Sequence, residues 1–327
     1  MGLLASLNDA RGTRRVPQSL KVLGPFIIAI LAKRRRAKGY YDYQTLAMFR
    51  YVWLQTNSIN ALLNYVLFRR DLGFPLHPRW GAIFNAEIKK LNFFRQQRVK
   101  LLLAELSVNS QSELEQSFHQ SDELFDLYQR QDVSRREFKE QMVQDAKLGL
   151  CVVGNSGRLL NSGLGELIDQ HQQVIRFNNF QNSKSSASDI GMKIDVWMVS
   201  PIYSAPAPEV KWIIVSGPDM LFHRRNWNKF RQLNSNKTRV LTVPLIIWQS
   251  LVKQLKAPPS AGILFLAWLK ILLGSWDNVF VVGFSYSYSS VIPYHHANSR
   301  HKAVERHNWE AEYNLIQQWK LEGLQLK

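Results

Sequence analysis

The chain contains 327 residues, and 46% of them are hydrophobic, which is enough for one large domain or for one domain with a helical extension. Its formal net charge of +17 at pH 7 favours an anionic partner, such as nucleic acid, anionic lipid or a phosphorylated sugar donor. The only cysteine, Cys151, excludes an intrachain disulfide and favours a reducing compartment.

The first 39 residues are basic, and they include the run KRRR at 33–36. The apolar run before it, at 26–32, is far shorter than the roughly 20 residues that a membrane-spanning helix needs. A short apolar segment beside a polybasic cluster is typical of proteins that lie on an anionic membrane surface. The alternative is an ordinary core helix with a solvated basic end.

From residue 40 to residue 147, the apolar spacing predicts helices over 40–70, 86–106 and 112–147. Aromatic side chains at this spacing are typical of a helical core rather than of a ligand platform. Basic residues lie between the aromatic ones, but no recognisable nucleic-acid-binding motif accompanies them. We therefore predict no nucleic-acid partner.

The central stretch, 148–179, predicts a βαβ unit. An apolar run at 150–153 has the pattern of a strand buried on both faces, and the loop GNSG follows it at 154–157. Asn161 or Ser162 is the predicted cap of a helix through residue 168, and a second strand follows at 174–177. The glycine spacing matches neither a dinucleotide fingerprint nor a P-loop, so the loop either binds another nucleotide or is a plain turn.

Four further apolar runs, at 194–199, 212–215, 240–243 and 279–282, bring the predicted strands to six. Because helical or irregular segments of crossover length separate them, we predict an α/β protein with a mostly parallel sheet and helices on both faces. Ser260 follows two prolines and is the predicted N-cap of a buried helix over 263–273. The amino end of such a helix is suited to bind phosphate or ribose oxygens.

Four of the eight histidines lie within thirteen residues, at 295, 296, 301 and 307. A histidine at the edge of a ligand cleft is suited to act as a general base, because its pKa is ordinarily near neutrality. A zinc site, as in a zinc hydrolase, is the alternative. The histidine spacing matches no common zinc-ligand pattern, and the only cysteine is distant in the sequence.

These stretches together resemble the sialylmotifs of eukaryotic-type sialyltransferases. VVGNSG through VIRFN, at 152–178, is similar to the large sialylmotif, and PPSAG through VFVVGF, at 258–284, is similar to the small one. His307 and Glu312 are spaced as in the very small motif, and His295 and His296 lie where the third motif falls. The resemblance covers about 148–312, in the order of the family's motifs.

The resemblance implies an inverting glycosyltransferase with a single Rossmann-like domain, a variant of the GT-A fold. It implies a CMP-activated donor of sialic acid or Kdo, a glycan or lipid-linked acceptor hydroxyl, and no metal or other cofactor. His307 would be the general base, His295 or His296 would contact the departing phosphate, and Glu312 would orient the helix that carries the base. The donor-binding residues would be Asn155, Ser156, Gly157, Asn178, Ser260, Ala261, Gly262 and Phe284.

Two departures from the family's animal members bear on location. Cys151 has no partner for the disulfide that joins their large and small motifs, and the sequence leads us to expect no spanning signal anchor. These features predict a cytoplasmic, bacterial enzyme that is peripheral at the inner face of the inner membrane. The predicted regions are a basic, membrane-associating segment at 1–39, a helical region at 40–147 and a sialyltransferase-like catalytic domain at 148–327. The alternative is a membrane- or polyanion-binding protein with a degenerate nucleotide-binding fold.

Overall fold

The computed structural model describes residue 16 and residues 21–106, 123–180, 187–202, 206–221, 227–284 and 304–327. The chain divides into two compact units, Met1–Asn109 and Ser110–Lys327. The division into three regions at residues 39 and 147 stays a prediction. Over the described ranges, no helix is both long enough and apolar enough to cross a bilayer.

The described residues of the first unit are helical. They form α1 (Gly24–Ala37), α2 (Tyr43–Thr56), α3 (Ile59–Asp71), α4 (Arg79–Glu87) and α5 (Phe93–Leu106). The segment predicted as helical over 40–70 forms two helices, because Asn57 is left-handed with φ 48° and its N–H donates to Trp53 O at 2.8 Å, which ends α2. A 3-10 turn, Ile88–Lys90, likewise divides the predicted helix over 86–106.

Aromatic side chains form the core of this unit, as predicted. Trp53 stacks on Tyr65 with the ring centroids 5.6 Å apart. The rings of Phe49 and Phe68 are in contact, with centroids 5.3 Å apart, and both side chains are almost completely buried. The aromatic spacing of the sequence therefore reflects packing between helices.

The described part of the second unit contains one sheet and the helices that cover it. In chain order, its elements are α6 (Glu123–Gln129), α7 (Gln131–Asp145), β1 (Leu150–Val153), α8 (Gly165–Asp169), β2 (Gln173–Phe177), α9 (Ala187–Ile190), β3 (Val196–Val199), β4 (Trp212–Val215), α10 (Trp227–Leu233), β5 (Arg239–Thr242), α11 (Leu245–Leu255), α12 (Ala261–Leu273), β6 (Val279–Val282), α13 (Trp309–Leu321) and β7 (Gln325–Leu326).

The strand order is β5-β4-β3-β2-β1-β6-β7, and each of these neighbouring pairs is parallel. In register, Leu150 of β1 lies between Gln173 of β2 and Val279 of β6. The predicted α/β fold and its six strands are confirmed. The sequence does not reveal β7, because two residues are too few to show a periodicity.

Helices cover both faces of the sheet. On one face, Cys151 and Val174 pack with Ile168 of α8. On the other face, Phe138 of α7 stacks on Trp268 of α12, with ring centroids 4.9 Å apart. Because both faces are covered, the strands are continuous apolar runs rather than alternating ones.

The predicted helix cap at Asn161 or Ser162 is wrong. Helix α8 begins after both residues, and Leu164 precedes it without a side-chain cap. The backbone N–H groups of Asn161 and Gly163 donate instead to the carboxylate of Asp189, at 2.8 and 3.1 Å. These bonds lower the pKa of Asp189 and hold the chain in a loop ahead of the helix.

Candidate active site

The carboxyl ends of β1 and β6 form the candidate site. From β1, the chain adds β2 to β5 on one side of the sheet and then β6 and β7 on the other side. The order of the strands therefore reverses at β1. Open parallel sheets bind ligands in the crevice at such a reversal. The loops after the two strands meet there: Gly154 N–H donates to Val282 O, and Ser156 N–H donates to Gly283 O, each at 2.8 Å.

The ring of Phe284 packs against two glycines beside the carboxyl ends of β1 and β6. A Cβ added at Gly154 would lie 2.7 Å from the ring, and one added at Gly262 would lie 2.5 Å from it, which is too close for a side chain. The same ring meets Phe177 edge-on, with centroids 5.9 Å apart. The structure therefore brings together Gly262 and Phe284 of the predicted donor-binding set, and it adds Gly154.

The loop after β1 fixes the orientation of Asn155. Its Nδ2 donates to Phe177 O at 2.8 Å and to Asn179 O at 3.3 Å, and carbonyl oxygens only accept, so the two ends of the amide are distinguished. Its Oδ1 is buried and has no hydrogen-bond partner in the described part of the chain. Ser156 Oγ accepts from Arg158 N–H at 3.3 Å and caps a short 3-10 turn.

Asn178 ends β2 in a left-handed conformation with φ 46°. Its N–H donates to Met198 O at 2.9 Å, and its Oδ1 accepts from Ser200 N–H at 2.8 Å. The carboxamide oxygen is therefore used within the protein, which ties the ends of β2 and β3 together. Gly157, also predicted to bind the donor, is the half-buried first residue of the 3-10 turn after β1.

Ser260 caps helix α12, as predicted. Its Oγ accepts from Ile263 N–H at 3.4 Å. Ser260 also donates twice to Glu312, from its backbone N–H to Oε1 and from Oγ to Oε2, each at 2.7 Å. Ala261 and Gly262 then supply the first two N–H groups of the helix, at the positive end of its dipole.

His307 lies beside the same segment. Its Nδ1 is 2.8 Å from Pro258 O, and a carbonyl oxygen only accepts, so Nδ1 carries the proton. In the neutral ring, Nε2 then keeps its lone pair. The ring is half-buried and meets Trp309 edge-on, with centroids 5.3 Å apart. A histidine whose tautomer is fixed in this way is suited to act as a general base.

Burial shifts the pKa of both titratable groups. It lowers the pKa of His307 from 6.5 to about 4, helped by the charge of Arg306 and opposed by the bond to Pro258. It raises the pKa of Glu312 from 4.5 to about 7, against the two hydrogen bonds from Ser260. The sequence predicts a histidine whose pKa is near neutrality, whereas burial lowers the pKa of His307 so that its ring stays neutral well below pH 6.5.

Two predicted residues, His295 and His296, lie outside the described residues. Conversely, sequence reasoning missed Asn308, whose Nδ2 donates to Leu255 O at 3.0 Å and whose Oδ1 caps α13. An asparagine directly before an acidic first turn is a helix-start signal that would have identified it. The contact between Pro258 O and His307 has no comparable sequence signal, because every residue has a backbone carbonyl.

A parallel sheet whose strand order reverses at β1, with a histidine of fixed tautomer beside a helix amino end, is typical of open α/β enzymes, which bind ligands at strand carboxyl ends. The family model of glycosyltransferase family 29 (sialyltransferase) matches residues 93–324, and the chain belongs to this family. The family resemblance seen in the motifs is thereby confirmed. The match begins well before residue 148, where the motifs begin.

One curated relative is the beta-1,6-galactosyltransferase GALT29A of Arabidopsis thaliana, 26% identical over 203 residues, which are 51% of this chain and 50% of the relative. The chain thus spans about half the length of that relative. Among solved structures, a mammalian sialyltransferase is similar at 18% identity and a TM-score of 0.42, over 64% of this chain and 86% of the other. A mammalian sialyltransferase in complex with Gal-beta-1-3GalNAc-ortho-nitrophenol is similar at 17% identity and a TM-score of 0.39, with the same coverage.

Proposed function

We propose that the chain is an inverting glycosyltransferase that moves a 2-keto sugar acid, either sialic acid or Kdo, from a CMP-activated donor to a hydroxyl of a glycan or lipid-linked acceptor. Membership of family 29 supports the transfer of a sugar. The observation that carries the mechanism is the bond between Nδ1 of His307 and Pro258 O, which leaves Nε2 as the basic nitrogen. The donor sugar, the inversion and the acceptor are parts of the proposal.

In this proposal, Nε2 of His307 removes the proton of the acceptor hydroxyl. The acceptor oxygen then forms a bond to the anomeric carbon, while the bond from that carbon to the phosphate oxygen breaks and its electrons leave with CMP. A single displacement inverts the anomeric carbon. The pKa of His307, lowered to about 4, keeps the ring neutral at pH 7 but makes Nε2 a weaker base than an exposed imidazole.

The departing phosphate gains negative charge, and the amino end of α12 is a suitable partner for it. Ala261 and Gly262 lie in the first turn of that helix, where N–H groups and the helix dipole favour an anion. His295 or His296 is proposed to assist, as the family's third motif suggests. We further propose that the reaction needs no metal ion, because CMP carries one phosphate and these groups match its charge.

The test is a thermal-shift assay of the full chain in EDTA with CMP, UDP, GDP or NAD. CMP at about 100 times its dissociation constant is expected to stabilise the fold by roughly 2.7 kcal/mol, which raises the melting temperature, whereas GDP and NAD are not. A shift with UDP alone would replace the proposed CMP donor by a UDP sugar. No shift with CMP or UDP would contradict the proposed transferase.

A second candidate property, attachment to an anionic membrane surface, is favoured by the exposed face of α1. Residues spaced three and four apart along the start of this helix are apolar and exposed: Leu23, Phe26, Ile27 and Ile30. Lys33 and Arg34 continue the same face and are exposed, while Ile28 and Ala32 are fully buried behind it. We propose that this face lies on anionic lipid, as at the cytoplasmic side of a bacterial inner membrane.

Phe26→Ser is expected to weaken the binding of the chain to phosphatidylglycerol vesicles at least tenfold, because a buried phenylalanine contributes roughly 1.5–3 kcal/mol. Cosedimentation at low and high salt measures it, and binding of the unsubstituted chain should weaken as salt rises. Phe93→Ser is the matched control, since Phe93 is 63% exposed on α5. Equal binding by both variants, or equal binding to neutral vesicles, would count against the proposal. Vesicle binding without any effect of a nucleotide would instead favour a lipid-binding protein with a degenerate nucleotide-binding fold.

A further inference from the structure

A pocket of about 190 Å³ lies within the first unit. Residues of α2, α3 and α4 and of the segment 75–78 line it. Tyr65 is its middle ring: it stacks on Trp53 with an interplanar angle of 16°, and it meets Trp80 edge-on with centroids 5.8 Å apart. We call this the aromatic pocket, and its three rings are all buried.

The charged groups that line the aromatic pocket are positive. Arg50 is half-buried and makes no hydrogen bond or ion pair with the rest of the described chain. Arg69 donates from Nε to Pro75 O at 3.0 Å, which holds its guanidinium at the pocket. His77 Nδ1 accepts from Arg79 N–H at 3.1 Å, so its Nε2 carries a hydrogen. No described lining residue is acidic, and Arg50 therefore offers its positive charge to the pocket without an ion-pair partner in the described chain.

Size and chemistry limit what fits. A cavity of about 150 Å³ holds one benzene ring, so the aromatic pocket holds one six-membered ring rather than a nucleotide. Stacked aromatic walls suit the C–H face of a pyranose, while a guanidinium pairs best with a carboxylate or phosphate. A ring with a carboxylate meets both requirements at once. The volume and the lining thus select a small cyclic acid.

We propose that the aromatic pocket binds one acidic sugar unit of a glycan, with its carboxylate at Arg50 and its ring against Trp53 and Tyr65. The ring and the carboxylate follow from the pocket, whereas the choice of a sugar over another cyclic acid rests on the proposed transferase function. Such a subsite would hold a glycan that already carries a sugar acid. It would thereby favour acidic acceptors over neutral ones.

Isothermal titration calorimetry of the full chain with glucuronate, glucose and benzoate tests this proposal. Glucuronate is expected to bind, with glucose at least tenfold weaker because it lacks the carboxylate. Arg50→Gln is expected to weaken glucuronate binding at least tenfold, while Arg79→Gln, a change of equal charge at an exposed residue outside the lining, leaves it within about twofold. Leu76→Trp fills the pocket without removing a charge and should also abolish binding.

The outcomes separate this proposal from the transferase. Binding of benzoate but not glucuronate would overturn the sugar assignment. Equal losses in Arg50→Gln and Arg79→Gln would overturn the placement of the ligand in the aromatic pocket, since overall charge alone would then explain the binding. If glucuronate does not bind while CMP still raises the melting temperature, only the pocket proposal fails. If glucuronate binding depends on Arg50 while no nucleotide binds, the pocket stands as a cyclic-acid site and the transferase fails.

Discussion

Replacing His307 with alanine is expected to lower kcat by about 10²–10⁴-fold, the usual contribution of a well-placed general base, with little change in the KM for the donor. The reason is that Nδ1 is committed to Pro258 O at 2.8 Å, so Nε2 is the nitrogen that receives the proton. The measurement is chromatographic detection of CMP released from CMP-sialic acid or CMP-Kdo in the presence of an oligosaccharide acceptor.

His171→Ala is the matched control for this substitution. The Nδ1 of His171 also lies 2.8 Å from a backbone carbonyl oxygen, that of Leu167. His171 precedes β2, however, and so lies near the amino ends of the strands, away from the candidate site at their carboxyl ends. Its replacement should cost stability and leave kcat unchanged. A kcat for His307→Ala within about threefold of the unsubstituted chain, with CMP still bound, would exclude a general base of the usual strength at this position.

The pH dependence of the unsubstituted chain provides an independent measure of the same base. The base acts when neutral, and burial lowers the pKa of His307 to about 4, so its neutral form persists well below pH 6.5. We therefore expect no loss of kcat from this group between pH 8 and about pH 5, and a decline only towards pH 4. A decline centred on pH 6.5 that vanishes in His307→Ala would contradict the depressed pKa.

We expect the difference in free energy of unfolding between Glu312→Gln and the unsubstituted chain to change with pH. Between pH 4.5 and pH 8 it should shift in favour of the variant by roughly 2–3 kcal/mol. The folded pKa of Glu312 is about 7, above its ordinary value of 4.5. Between these values the folded chain holds a proton that the unfolded chain has released, so this carboxyl's stabilisation, complete below pH 4.5, is lost as the pH rises through 7. Glutamine does not titrate and escapes that loss. Urea unfolding at several pH values measures it.

The difference between the two proteins isolates Glu312. The lowered pKa of His307 makes stability rise with pH between about 4 and 6.5, but this contribution is present in both proteins and cancels. Glu310→Gln, at an exposed carboxyl in the same first turn of α13, is the matched control. Parallel stability curves for Glu312→Gln and the unsubstituted chain would show that burial does not raise this pKa.

A positioning role for Glu312 has its own signature. Glu312 lies on α13 and accepts from Ser260 at the start of α12, so it joins the two segments that also hold His307. In Glu312→Gln the amide oxygen still accepts from the backbone N–H, and the amide nitrogen can donate to Ser260 Oγ. We expect a modest fall in kcat, while the decline of kcat at low pH stays where it is in the unsubstituted chain. A loss as large as that of His307→Ala would instead indicate a direct chemical role.

The sequence by itself determined six of the seven described strands and the family. Parallel strands covered on both faces must be continuous apolar runs, so the segments 150–153 and 279–282 are visible as strands without any knowledge of their neighbours. Ser260 was equally visible as a cap, because its hydroxyl contacts an N–H only three residues along the chain. The motifs around these elements were sufficient to identify glycosyltransferase family 29.

Only the tertiary structure decided the contacts between residues far apart in the chain. Asp189 takes the N–H groups of Asn161 and Gly163, which removes the expected cap at 161 or 162. His307, the proposed base, depends on a carbonyl 49 residues away, and Ser260 depends on a carboxyl 52 residues away. Local sequence encodes interactions within a few residues, whereas burial and long-range hydrogen bonds exist only once the chain has packed. The hydrogen bond to Pro258 sets the tautomer of His307, while burial lowers the pKa of His307 and raises that of Glu312, in each case against the hydrogen bonds.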